Sequence, residues 1–66
     1  MNIQLNGTRR DLPAGSSLAA LIAQLPLAGR RLAVERNGEI VPRSQYAQVT
    51  LAEGDRIEIV QAIGGG

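Results

Sequence analysis

One short segment governs what this chain can become. Leu18, Leu21, Ile22 and Leu25 recur at i, i+3, i+4 and i+7, an apolar stripe along one helical face. Ser16 or Ser17 stands where a first turn needs a side-chain acceptor for its free N–H groups. Pro26 disfavours helical geometry at Leu25, and Gly29 lies in the loop beyond. The spacing predicts a helix of about two turns, too short to persist in water alone. It must lie on a sheet.

The rest of the chain supplies the strands. Ile3 and Leu5 alternate at period two and run into Asn6-Gly7, a pair suited to a type I′ hairpin turn because both central positions need positive φ. Thr8 to Leu12 reads as the returning strand, with Leu12 turned to the core. After the helix, Leu32 and Val34 resume the alternation and meet a second such pair, Asn37-Gly38. Ile40 and Val41 continue until Pro42 stops the ladder. The segment "RSQYAQ" suits a helical turn, Val49 to Leu51 a short strand, and Glu53-Gly54-Asp55 a further turn. Ile57 and Ile59 then alternate with Arg56 and Glu58 in a closing strand. From Val60 that alternation decays, because Val60, Ala62 and Ile63 place apolar groups on both faces. The order is ββαββ with a short extra strand. Its economical solution is an α+β fold, one mixed sheet with the helix across one face and the last strand beside the first. That is the ubiquitin-like β-grasp.

Composition sets how such a fold holds together and what chemistry it carries. A chain of 66 residues is one domain, and at that size it buries only about 60% of its unfolded surface. Hydrophobic residues make up 44%, but Tyr46 is the single aromatic, so the core is aliphatic. There is no Cys, His or Lys. Thiol and imidazole nucleophiles, soft-metal sites and Schiff-base chemistry are thereby excluded. The acids Asp11, Glu35, Glu39, Glu53, Asp55 and Glu58 flank turns or alternate with apolar residues, which assigns them structural or surface roles. No catalytic residue, bound cofactor or metal is expected in an autonomous enzyme's sense. Net charge is +1, too weak a field to draw nucleic acid or a membrane surface. Arg9–Arg10 and Arg30–Arg31 read as solvated faces, with phosphate contact the sharper alternative. "MNIQLNGTRR" has no apolar h-region and "LAALIAQLPLA" is too short to span a bilayer. The expectation is a soluble, cytoplasmic protein, monomeric when free.

The chain then ends in "VQAIGGG". Residues 1–63 divide from a flexible tail, 64–66, that has only backbone and a terminal carboxylate to offer. With a pKa of about 3.3–3.7, that carboxyl is an anionic oxygen nucleophile at neutral pH. Three extended glycines reach roughly 10 Å, and without Cβ atoms they thread a narrow channel. Ordering them costs about 1–2 kcal/mol per residue, which a docking surface must supply. Val60, Ala62 and Ile63 are the candidates for that surface.

"LPAGSSLAALIAQL", "VERNGEIVPRSQYAQ" and "LAEGDRIEIVQAIGGG" together resemble the ThiS family of sulfur carriers in thiamine biosynthesis, over nearly the whole chain. The most specific element is the final Gly-Gly. Tyr46 stands where a Trp is common, and the tail has three glycines where two suffice. The resemblance implies that the Gly66 carboxylate is adenylated with ATP by an E1-like adenylyltransferase of the ThiF type. Sulfur from a cysteine desulfurase relay would then replace one oxygen, giving a thiocarboxylate. A ThiG-type thiazole synthase would take this sulfur into the thiazole ring, with Gly64 and Gly65 threading the partners' active sites. Two other readings stand beside it. The small subunit of molybdopterin synthase uses the same chemistry but usually has prolines before its glycines. The RNA-associated TGS module shares the "NGEIVP" and "GDRIEIV" pattern but has no reason to finish on Gly-Gly.

Overall fold

The computed structural model describes residues 1–27 and 29–61. Five strands form one sheet: β1 (Asn2–Leu5), β2 (Thr8–Asp11), β3 (Leu32–Arg36), β4 (Glu39–Ile40) and β5 (Arg56–Gln61). The sheet order is β2-β1-β5-β3-β4. β1 pairs antiparallel with β2 and parallel with β5, and β3 pairs antiparallel with both β4 and β5. One helix, α1 (Leu18–Ala23), completes the ubiquitin-like β-grasp.

The alternation decides which side of the sheet is covered. Ile3, Val34, Ile57 and Ile59 are buried and share a core with Leu18 and Leu21 of α1. Leu12, Val41 and Leu51 extend that core from outside the strands. Both hairpins turn as the Asn-Gly pairs require. Asn6 and Asn37 have φ of 50° and 52°, and the glycines after them 81° and 85°, the left-handed pair of a type I′ turn.

Three expectations needed correction. The helix stops at Ala23 with Gln24 as its cap, so Leu25 lies beyond it, half-buried against the core. Pro26 excludes Leu25 from helical geometry and trims the helix by that much. Val49–Leu51 is not a strand: it contributes one isolated bridge, Ser17 to Thr50, and the Leu51 amide donates to the Ser16 carbonyl at 2.9 Å. That segment is tied to the helix start, too short to build a ladder. Val41 lies past β4, although its amide donates to the Val34 carbonyl at 2.9 Å and its side chain is buried. The ambiguous "RSQYAQ" segment contains a 3₁₀ turn, Arg43–Gln45. At the helix start Ser17 rather than Ser16 is the cap, its hydroxyl accepting from the Ala20 amide at 3.0 Å. No helix among the described residues is long and apolar enough to cross a membrane.

Candidate functional site: the closing strand and its open face

The closing strand is the part of the fold that leads to the glycines, and it occupies the middle of the sheet. Its beginning is fixed by a buried carboxylate. Asp55 is 6% exposed. It accepts from the Arg36 guanidinium at 2.9 Å, the Asn37 side-chain amide at 3.1 Å and the Ala52 backbone amide at 2.9 Å. Burial works to raise its pKa. The Ala52 amide, the Asn37 amide and the Arg36 cation together outweigh it and hold the carboxyl below its ordinary value. Asp55 is thus a structural knot rather than an acid–base catalyst. The expectation of a structural role holds, but its burial had no signal in the alternation.

Two asparagines then hold β5 from either side. Asn37 exchanges bonds with Arg56: its backbone amide donates to the Arg56 carbonyl at 2.8 Å, and its side-chain oxygen accepts from the Arg56 amide at 2.9 Å. On the other side β1 gives out at Leu5, whose register partner is Ile57. The Asn6 backbone amide donates to the Ile57 carbonyl at 2.9 Å. Its side-chain amide then carries the pairing further along. Nδ2 donates to the Ile59 carbonyl at 3.0 Å, and Oδ1 accepts from the Ile59 amide at 2.8 Å. A carboxamide has the donor and acceptor of a peptide unit, so Asn6 acts here as one more residue of β1. The sequence pointed to Asn6 and Asn37 as turn formers. Their second role, holding β5, has no local sequence signal, because it depends on sheet order.

The face of β5 away from the helix is open. Val60 is 57% exposed and sits opposite exposed Ala33 of β3. Beside this pair Glu58 stands opposite Glu35, and Glu35 is in turn opposite Ile40, which is 67% exposed. Like charges directly opposite each other destabilise a sheet. The face thus carries exposed apolar side chains, Val60, Ala33 and Ile40, around a pair of carboxylates that repel each other. The structure places the sequence-predicted Val60 here and adds Ala33 and Ile40, which only strand order brings alongside it. Ala62, Ile63, Gly64, Gly65 and Gly66 lie outside the described residues.

The comparisons with known proteins agree with this geometry. The family model described as "ThiS family" matches residues 3–66. The sulfur carrier protein ThiS of Escherichia coli is 36% identical over 66 residues, covering all of both chains. A thiazole synthase of Paramagnetospirillum magneticum is 48% identical over 66 residues, and the chain spans 20% of that protein's length. Among solved structures, the thiamine biosynthesis protein ThiS of Geobacter metallireducens superposes with a TM-score of 0.85 at 29% identity, with both chains fully covered. A β-grasp whose central strand runs on to a glycine tail, matched by the family model along nearly its whole length, belongs to the ThiS family.

Proposed function

We propose that this chain is a sulfur carrier for thiazole formation in thiamine biosynthesis, a protein co-substrate rather than an enzyme. The observation that carries the reading is the match to the Escherichia coli sulfur carrier over the full length of both chains, tail included. The position of β5 supports it physically. A strand held by β1, β3 and two asparagine side chains gives residues 62–66 a firm base.

In this reading the Gly66 carboxylate attacks the α-phosphorus of ATP within a ThiF-type adenylyltransferase, and pyrophosphate leaves. The outer sulfur of a persulfide on a cysteine desulfurase relay then attacks the acyl carbon and displaces AMP. A second thiol cleaves the resulting acyl disulfide, leaving the thiocarboxylate on Gly66 and a disulfide on the relay. One carboxylate oxygen departs with the AMP phosphate, and sulfur takes its place. A ThiG-type thiazole synthase is the acceptor. The two thiazole synthases that match along this chain, at 48% and 46% identity, support that partner. Gly64 and Gly65 thread the active sites, while Val60, Ala62 and Ile63 dock outside. The cofactor of the activation step, ATP, belongs to the partner.

The test is an intact-mass measurement after incubation with the adenylyltransferase, ATP and a sulfur donor. The expected product carries sulfur in place of one oxygen on the C-terminal peptide. Removing Gly66 abolishes this change and leaves the fold intact. A chain that stays unmodified with its own activating enzyme refutes the function. A variant lacking Gly66 that still carries sulfur refutes the site.

A further inference from the structure

Three of the seven arginines gather at one groove on the helix side of the sheet. Arg30, Arg31 and Arg43 line an open depression of about 300 Å³, with Ile22, Leu32 and Tyr46 among its apolar walls. No carboxylate lines it, and among the described residues the salt bridges involve only Met1 with Asp11 and Arg36 with Asp55. All three arginines are exposed. The chain's net charge is only +1, so this is a local concentration of cations rather than a share of a general field.

The groove also has a position. Leu32 in its wall is the register partner of Gln61, the last described residue of β5. Arg30 Nη1 donates to Gln61 Oε1 at 3.3 Å. Whatever occupies the groove therefore sits beside Gln61, five positions before Gly66 in the sequence, on the face opposite Val60.

We propose that this groove receives an acidic segment of the thiazole synthase that takes up the tail, with one bulky apolar side chain seated among Ile22, Leu32 and Tyr46 and carboxylates meeting Arg31 and Arg43. This rests on the sulfur-carrier reading above. Charge complementarity sets the sign of the occupant. The open geometry sets its size: a small anion among exposed guanidinium groups stays hydrated and screened, whereas a protein segment laid over the groove excludes water and strengthens the pairing. Proximity to Gln61 restricts the partner to a protein that holds the glycines, and the two thiazole synthases that match along this chain favour that enzyme among them. The open sheet face and the groove would then grip the tail's base from both sides.

The experiment measures binding of the full chain to the thiazole synthase of the same organism, at low and at raised salt, by isothermal titration. Arg31→Glu and Arg43→Glu are each expected to raise Kd about tenfold or more at low salt and to flatten its salt dependence. Arg9→Glu, on the edge strand β2, makes the same change in net charge away from the groove and is expected to stay within about twofold. Far-UV circular dichroism establishes that all three variants fold. Sulfur loading by the adenylyltransferase is measured on the same samples. Charge reversals that leave Kd unchanged, or an Arg9→Glu effect as large as theirs, overturn the groove while loaded wild type preserves the sulfur-carrier reading. Wild type that neither loads nor binds overturns both.

Discussion

Asn6 offers the sharpest test of how the strand that bears the tail is held. Replacing it by glycine keeps the positive φ that the hairpin needs, since Gly is at ease in that region. The turn survives and only the side chain is removed. What is lost is the pair of bonds to Ile59, at 3.0 and 2.8 Å. A net hydrogen bond contributes about 1 kcal/mol, and this pair is only part-buried, so water recovers some of the loss. The expected cost is about 1–2 kcal/mol. For a domain of this size each kcal/mol moves Tm by about 4–8 °C, so Asn6→Gly should melt about 4–16 °C below wild type by circular dichroism. The Ile59 amide should exchange faster with solvent, because the acceptor it used is gone. Asn6→Asp separates the two bonds. It keeps an acceptor for the Ile59 amide but sets a carboxylate against the Ile59 carbonyl, so at neutral pH it should be no more stable than Asn6→Gly, and it should recover as the carboxylate protonates. A Tm shift under about 2 °C for Asn6→Gly, with unchanged protection at Ile59, would refute the claim that this side chain holds β5.

Asp55 makes stability depend on acid: its folded pKa is depressed, so its contribution is complete above the ordinary value of 3.8 and is lost as pH falls through the lower folded one. Urea midpoints of wild type should fall steeply below about pH 4, and Asp55→Asn should be less stable at pH 7 and flatter across that window; parallel curves would deny the knot its role. Leu21→Ala removes a fully buried side chain of α1 and should cost about 2–5 kcal/mol. Against a total of about 3–10 kcal/mol for 66 residues, that is about half of the stability, so chemical denaturation should find the midpoint lowered by about half. Val60→Asp, at an exposed position on the open face, should change stability by no more than about 1 kcal/mol. Titration calorimetry should show it binding thiazole synthase at least tenfold more weakly than wild type; unchanged affinity removes Val60 from the docking surface.

The backbone plan was legible because its signals are local. Two Asn-Gly pairs, one apolar stripe at helical spacing and alternating Ile, Leu and Val each declare their own element, and the short helix forces them together. The misreadings also had local causes. Pro26 ends the helix before Leu25 although Leu25 continues the apolar stripe, and Val49–Leu51 has apolar spacing without a partner strand. The site divides in the same way. The glycine tail and Val60 stand out in one dimension. Ala33 and Ile40 join Val60 only because β3 and β4 lie beside β5, and Arg43 joins Arg30 and Arg31 only because the 3₁₀ turn lies against the loop before β3. Asp55 looked like an ordinary turn acid. Its burial follows from Arg36 and Asn37, which lie 19 and 18 positions away.

The central place of β5 also has a mechanical consequence. β1 and β5 are parallel neighbours, so a pull between the chain's first strand and its tail drags the two past each other along their length. Interstrand bonds run across the strands, and in that geometry they are loaded together instead of being peeled open one after another. The antiparallel ladder to β3 and the carboxamide of Asn6 share the load. Tension applied to the tail while a partner grips or releases it is thus met by the whole middle of the sheet. In a force-extension measurement this chain should yield abruptly and at once, as a single rupture, rather than unravel strand by strand.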